Sequence, residues 1–149
     1  MNDENELLID ISNVYFEYAE AADDGDPVAF AKLFTNDCVF DGGRPAPSRE
    51  WIESHARRLL GQFRETSHHI SNIRIRSVEG DDVRATAWVQ AWHRKLDGDT
   101  FLALGRYRST LRRDEGRWRF AEHSIILHGN VGTDGRNYLR HTRQSVDGS

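Results

Sequence analysis

Seven histidines fall within 149 residues, and five of them (His68, His69, His93, His123 and His128) lie in stretches with the two-residue alternation of strands. An imidazole moves protons near neutral pH when a neighbour fixes its tautomer and supports the charge it acquires. Asp23 is the carboxylate that could do this for His68. It closes the first amphipathic segment, on the same edge as the stripe residues Ala19 and Ala22. Three placements are open to it: reaching into a cavity, standing in solvent, or bonding within the turn that Asp24 and Asp26 continue. An inward Asp23 beside an inward His68 makes a general base. His93 is expected to point inward too, because Val83, Ala85, Ala87, Val89 and Ala91 share its face and mark the core side. Alternation also groups His68 with Ile70 and Asn72, and sends His69 to the opposite face. Against this stands the plainer reading of any inward histidine, a hydrogen-bonded structural residue.

Other chemistries find less support. No expected element carries an HxH, HxxxH or HExxH spacing, and Cys38 is alone, so no metal is expected. There is no G-x-S-x-G elbow and no glycine-rich phosphate loop, so no nucleophilic serine and no nucleotide cofactor are expected. Arg106, Arg108, Arg112, Arg113, Arg117 and Arg119 crowd one hairpin, where the expected role is a solvated outer face. With a net charge of −4, that ribbon does not indicate a nucleic-acid partner.

Helices come first in the chain and sheet follows. Leu8, Ile11, Tyr15, Tyr18, Ala19 and Ala22 form a helical stripe over 7–22, widened by Leu7 and Val14. Asp26-Pro27 then caps and starts a short second helix burying Phe30, Leu33 and Phe34. A first strand is expected over Cys38–Asp41, and Ser48 caps a third helix running to about Phe63. Strands follow over 67–78, 82–95, 100–113 and 117–128, each pair joined by an acidic-glycine turn that makes neighbours antiparallel. Gly105 inside a strand pattern marks a bulge or bend. The sum is an α+β fold: a curved antiparallel sheet with three N-terminal helices over its open face, leaving a cone-shaped, mostly apolar cavity.

The size suits one domain over 1–149, with 129–149 a polar tail or flap. Apolar residues at 38% can build a core, and no run is long enough for a membrane helix. The acidic start MNDENELLID lacks a leader's basic and apolar pattern, so a cytoplasmic location is expected.

Three segments in order resemble the SnoaL-like branch of the nuclear-transport-factor-2-like superfamily, whose fold is the cystatin-like α+β barrel. They are Tyr18 to Pro27 continuing through Phe30 to Asp41, then Glu65-Thr-Ser-His-His-Ile-Ser-Asn, and the closing hairpin from Gly105 to Glu122. The resemblance is nearest to the superfamily's Asp–His dehydratases and dehydrochlorinases, of the scytalone, bile-acid and hexachlorocyclohexane types. It implies a cofactor-independent lyase or isomerase acting on an apolar ring compound such as a steroid, terpenoid, polyketide or xenobiotic. Asp23 then takes the place of the dyad carboxylate, His68 of the base and Tyr18 of a catalytic tyrosine. His93 and Tyr107 are the implied substrate contacts, and Tyr15 and Phe40 are expected to contact substrate beside them. Ala22 and Gly42 stand where the scytalone type has tyrosines, which separates this chain from that reaction. The superfamily's non-catalytic members imply an alternative: a small-ligand binder, or a structural subunit like a dioxygenase β subunit. A homodimer or higher homo-oligomer is expected either way, through Trp88 and Trp92 on the outer sheet face.

Overall fold

Helix α1 (Asp3–Asp23) opens the fold in the structure, a computed structural model that describes residues 3–132 and a two-residue strand at 139–140. It buries Ile11, Val14, Tyr15, Tyr18, Ala21 and Ala22, while Leu8 turns to solvent, so the apolar stripe is centred one position away from the expected one. Helix α2 (Pro27–Ala31) begins as expected. The Asp26 carboxylate accepts from the amides of Val28 and Ala29 at 3.1 and 3.0 Å, satisfying two of the helix's free donors. Strand β1 (Phe34–Phe40) starts four residues before the expected boundary. Helix α3 (Arg49–Leu60), capped by Ser48 through the amide of Trp51, ends at Gly61. Phe63 therefore belongs not to α3 but to the next strand.

The strands β2 (Phe63–Glu79), β3 (Asp82–Lys95), β4 (Thr100–Asp114) and β5 (Arg117–Val131) form the expected antiparallel meander. At the β4–β5 turn Glu115 and Gly116 both have positive φ, at 51° and 77°, the geometry that matches a hairpin's twist. The spatial order is β1-β5-β4-β3-β2, and β6 (Leu139–Arg140) lies along β5. Both β1 and β6 run parallel to β5, so the open sheet is mixed rather than antiparallel. The chain leaves β1, crosses through α3 to the far edge, and returns across four strands; β5 then arrives beside β1 running in the same direction. Gly129 to Val131 continue β5 rather than starting a tail, and the remainder of the expected tail or flap lies outside the described residues, apart from β6.

Two of the sheet's several register irregularities bear on the site. Asn72 sits at φ 52°, and the β2–β3 register slips between Ser71 and Arg74. This bulge puts Ile73 and Ile75 against the core with Ile70, and Asn72 is exposed rather than sharing the face of His68. In β4, a side chain at Gly105 would place its first carbon 2.6 Å from the Ile126 carbonyl oxygen, so β5 approaches closely there and the register shifts by one. Under the sheet Tyr15, Phe34, Phe120, Ile11, Ile52 and Leu111 are fully enclosed. Arg119 departs from the expected solvated ribbon. It is 5% exposed and holds the Lys32 carbonyl, Asp114 and Glu115, tying the β4–β5 turn to the loop after α2.

Candidate active site

Among the described residues β2 pairs with β3 alone and so forms an edge of the sheet, leaving outward-facing amides that no described strand engages. α1 crosses this edge and ends there. Its last residue, Asp23, accepts the backbone amide of His68 through Oδ2 at 2.9 Å. The other oxygen, Oδ1, lies 2.6 Å from His68 Nδ1 and accepts the Thr66 hydroxyl at 2.9 Å. Residues 45 positions apart are thus joined because a carboxylate at a helix end occupies the place of a missing strand neighbour. Burial alone would raise the Asp23 pKa. The hydrogen bonds from the ring and amide of His68, the charge of His68 and the Thr66 bond outweigh it, holding this carboxyl below the usual carboxylate value. An ionised carboxylate only accepts, so Nδ1 of His68 carries the proton and Nε2 is the ring nitrogen left for other work.

His68, its side chain 11% exposed, forms part of the wall of a cavity of about 400 Å³ between the helices and the concave sheet. Phe30, Leu59, Leu60, Val89, Ile125 and Leu127 supply much of the apolar lining. The small residues Ala91, Ala103 and Gly105 leave the space open where larger side chains would fill it. Tyr18 lies edge-on to His68 with ring centroids 6.4 Å apart, and edge-on to Tyr107 at 5.3 Å. His93, buried, stands 5.5 Å from His68 and stacks on Phe101 at 4.3 Å. Five of the seven residues singled out from the sequence, Asp23, His68, Tyr18, His93 and Tyr107, therefore gather around this wall.

Tyr15 and Phe40 do not line the cavity. Tyr15 is fully buried in the core beneath it, parallel to Tyr107 at 6.3 Å, with its phenol pKa raised by burial. Phe40 packs on Phe34 at 5.0 Å. Tyr15 lies on α1, which reaches the cavity through Tyr18 and Ala22, and Phe40 ends β1 just before the lining residue Asp41, but both rings pack into the core layer. Three polar lining residues are not among those the sequence singles out: Thr66, Asp41 and His55. Alternation could have found Thr66, which is two positions from His68 on the same face. His55 stacks on Trp51 at 5.1 Å, and burial with the nearby Arg58 lowers its pKa. Among the described residues no three His, Cys, Asp or Glu side chains converge as a metal site requires.

The sequence matches the SnoaL-like domain family over residues 4–124. The chain belongs to that family. No curated protein matches it in sequence. Among solved structures, this SnoaL-like chain is similar to a protein of Novosphingobium aromaticivorans provisionally designated a scytalone dehydratase. The two share 26% identity over 97% of this chain and 100% of that one, with a TM-score of 0.85. The fold is shared with a type 2 hexachlorocyclohexane dehydrochlorinase, LinA, at 19% identity over 93% and 97% of the two chains and a TM-score of 0.75. It is shared as well with the β subunit of a provisionally designated aromatic-ring-hydroxylating dioxygenase of N. aromaticivorans, at 22% identity over 86% and 93% and a TM-score of 0.71. Among the described residues no helix is long and apolar enough to cross a membrane.

Proposed function

We propose that this SnoaL-like chain is a cofactor-independent lyase or isomerase of the dehydratase type, acting on an apolar ring compound. The observation that carries the reading is the 2.6 Å contact between Asp23 and His68, with the imidazole on the wall of a largely apolar cavity. The similar structure from N. aromaticivorans, designated for a dehydration, supports the same reaction class.

In this reading His68 Nε2 takes a proton from a carbon next to an activating group. The electron pair of the broken C–H bond becomes the new double bond as the leaving group departs with its own pair. Asp23 keeps Nδ1 protonated and supports the imidazolium, while the Tyr18 hydroxyl donates to the oxygen on which charge develops. When hydroxide leaves, it takes up the proton held on His68, so water is released and the resting pair is restored. His93 and Tyr107 hold the ring system. The domain extent over 1–149, a cytoplasmic location and a homo-oligomer formed through the sheet's outer face, where Trp88 is 38% exposed, belong to the same proposal.

The test is turnover of fused-ring β-hydroxy ketones by the wild type, His68→Ala and Asp23→Asn. His68→Ala should abolish elimination, and Asp23→Asn should lower it at least ~100-fold, the scale of a positioned general base. Full activity in His68→Ala would end this mechanism.

A further inference from the structure

The cavity has a second polar end. The spatial order places β2, with His68, at one edge of the sheet and β1 at the other, with β3, β4 and β5 between them. Four strand spacings of about 4.8 Å amount to about 19 Å along the sheet, and the curvature brings the ends closer. At the β1 end Asp41 lines the same cavity as His68. It follows the last residue of β1 in a tight turn, with φ 50° followed by φ 69° at Gly42, closed by the Gly43 amide donating to the Phe40 carbonyl at 2.9 Å. The Asp41 amide donates to the His123 carbonyl at 3.0 Å, and its Oδ1 accepts the Ile125 amide at 2.8 Å. The carboxylate is therefore fixed on the rim, with one oxygen engaged by the protein.

The turn does not need the charge. Asparagine also tolerates positive φ, and its amide oxygen would accept the Ile125 amide equally well. What the carboxylate adds is negative potential: among the described lining residues Asp41 is the one acid, and none is lysine or arginine. We propose that Asp41 selects the ligand. The cavity takes neutral or cationic ring compounds that carry a hydroxyl or ammonium group at the end remote from His68, and it rejects anionic ones. This inference rests on the proposed function for the orientation of the ligand, since it sets the reacting carbon at His68 and the donor group at Asp41.

Four fluorescent probes of one ring shape test it at neutral pH: naphthalene, 2-naphthol, 2-(aminomethyl)naphthalene and 2-naphthoate. The wild type should bind the alcohol and the ammonium more tightly than naphthalene, and the carboxylate most weakly. Asp41→Asn should strengthen 2-naphthoate and weaken the ammonium probe, each by about tenfold, and leave naphthalene unchanged, as loss of one partly screened charge requires. Asp41→Gly, which also accepts the turn, should shift the charged probes in the same directions. Unchanged affinities for both charged probes in both variants overturn the inference, and so does a wild type that prefers the carboxylate or binds none of the four. His68→Ala separates the two claims. It should keep the preference for the ammonium over the carboxylate while losing turnover, so a flat ranking with intact His68-dependent turnover overturns the role of Asp41 alone.

Discussion

Mild acid should destabilise this fold largely through one histidine. His123 is 3% exposed, with the rings of Tyr107 and Phe120 at 4.8 Å, Tyr18 at 5.1 Å and Phe34 at 6.1 Å. Its Nδ1 lies 2.9 Å from the Ser109 hydroxyl, and its Nε2 has no hydrogen-bond partner among the described residues. Burial strips solvent from the imidazolium and pushes the pKa down to about 3. An unfolded chain binds this proton near the ordinary value of about 6.5, whereas the folded chain refuses it until much lower pH. The unfolded state thus holds more protons across that window. Stability is complete above about pH 6.5 and falls below it by up to about 1.4 kcal/mol per pH unit, or about 3 kcal/mol by pH ~4.5. Asp23, held below the usual carboxylate value, gives up its own contribution only at still lower pH, as its folded form becomes protonated, so it does not mask the effect. The assay is urea unfolding from about pH 7.5 to about 4.5 for the wild type and His123→Gln, whose amide does not titrate and still offers Ser109 a partner. The stability difference between the two should be constant above pH ~6.5 and move in favour of the variant by about 3 kcal/mol at the acid end. Parallel pH profiles would refute the reasoning.

Gly105→Ala should cost about 1–3 kcal/mol by the same unfolding assay, because the added carbon meets a β5 backbone oxygen at 2.6 Å that has no free rotation to move aside. Arg119→Met should cost about 2 kcal/mol: it leaves the Lys32 carbonyl without its donor, while Asp114, with 34% of its side chain exposed, recovers water. A loss below ~0.5 kcal/mol for either variant would contradict the packing described.

Local signals in the sequence carried the helix starts, the hairpins and the inward face of β3, because caps, acidic-glycine turns and unbroken alternation act within a few residues. Asp26-Pro27, Ser48 and Glu115-Gly116 each behave as their types require. What failed was non-local. No residue pattern reports that β1 would lie parallel to β5, since that direction follows from the crossover through α3. Alternation was read straight through Asn72, where one left-handed residue reverses the faces that follow. Periodicity identified Tyr15 and Tyr18 as buried but not which of them meets empty space, a matter of where the sheet curves away. Asp23 and His68 were each legible as candidates. Their meeting depends on β2 being an edge strand with a free amide, which only the assembled sheet reveals. In the sequence Asp41 stands as the last residue of the first strand, whereas the structure ends β1 at Phe40 and puts Asp41 in the turn, beside a cavity that has no local signature.

The central claim is that His68, oriented by Asp23, removes a proton from carbon inside the cavity. Deuterium exchange of the α-protons of 2-tetralone in D2O, followed by proton NMR, tests that step without knowledge of the leaving group. The wild type should exchange them well above the buffer rate, with the acceleration lost in His68→Ala and reduced at least ~100-fold in Asp23→Asn. Exchange by His68→Ala at the wild-type rate, or a wild type no faster than buffer, would contradict the account.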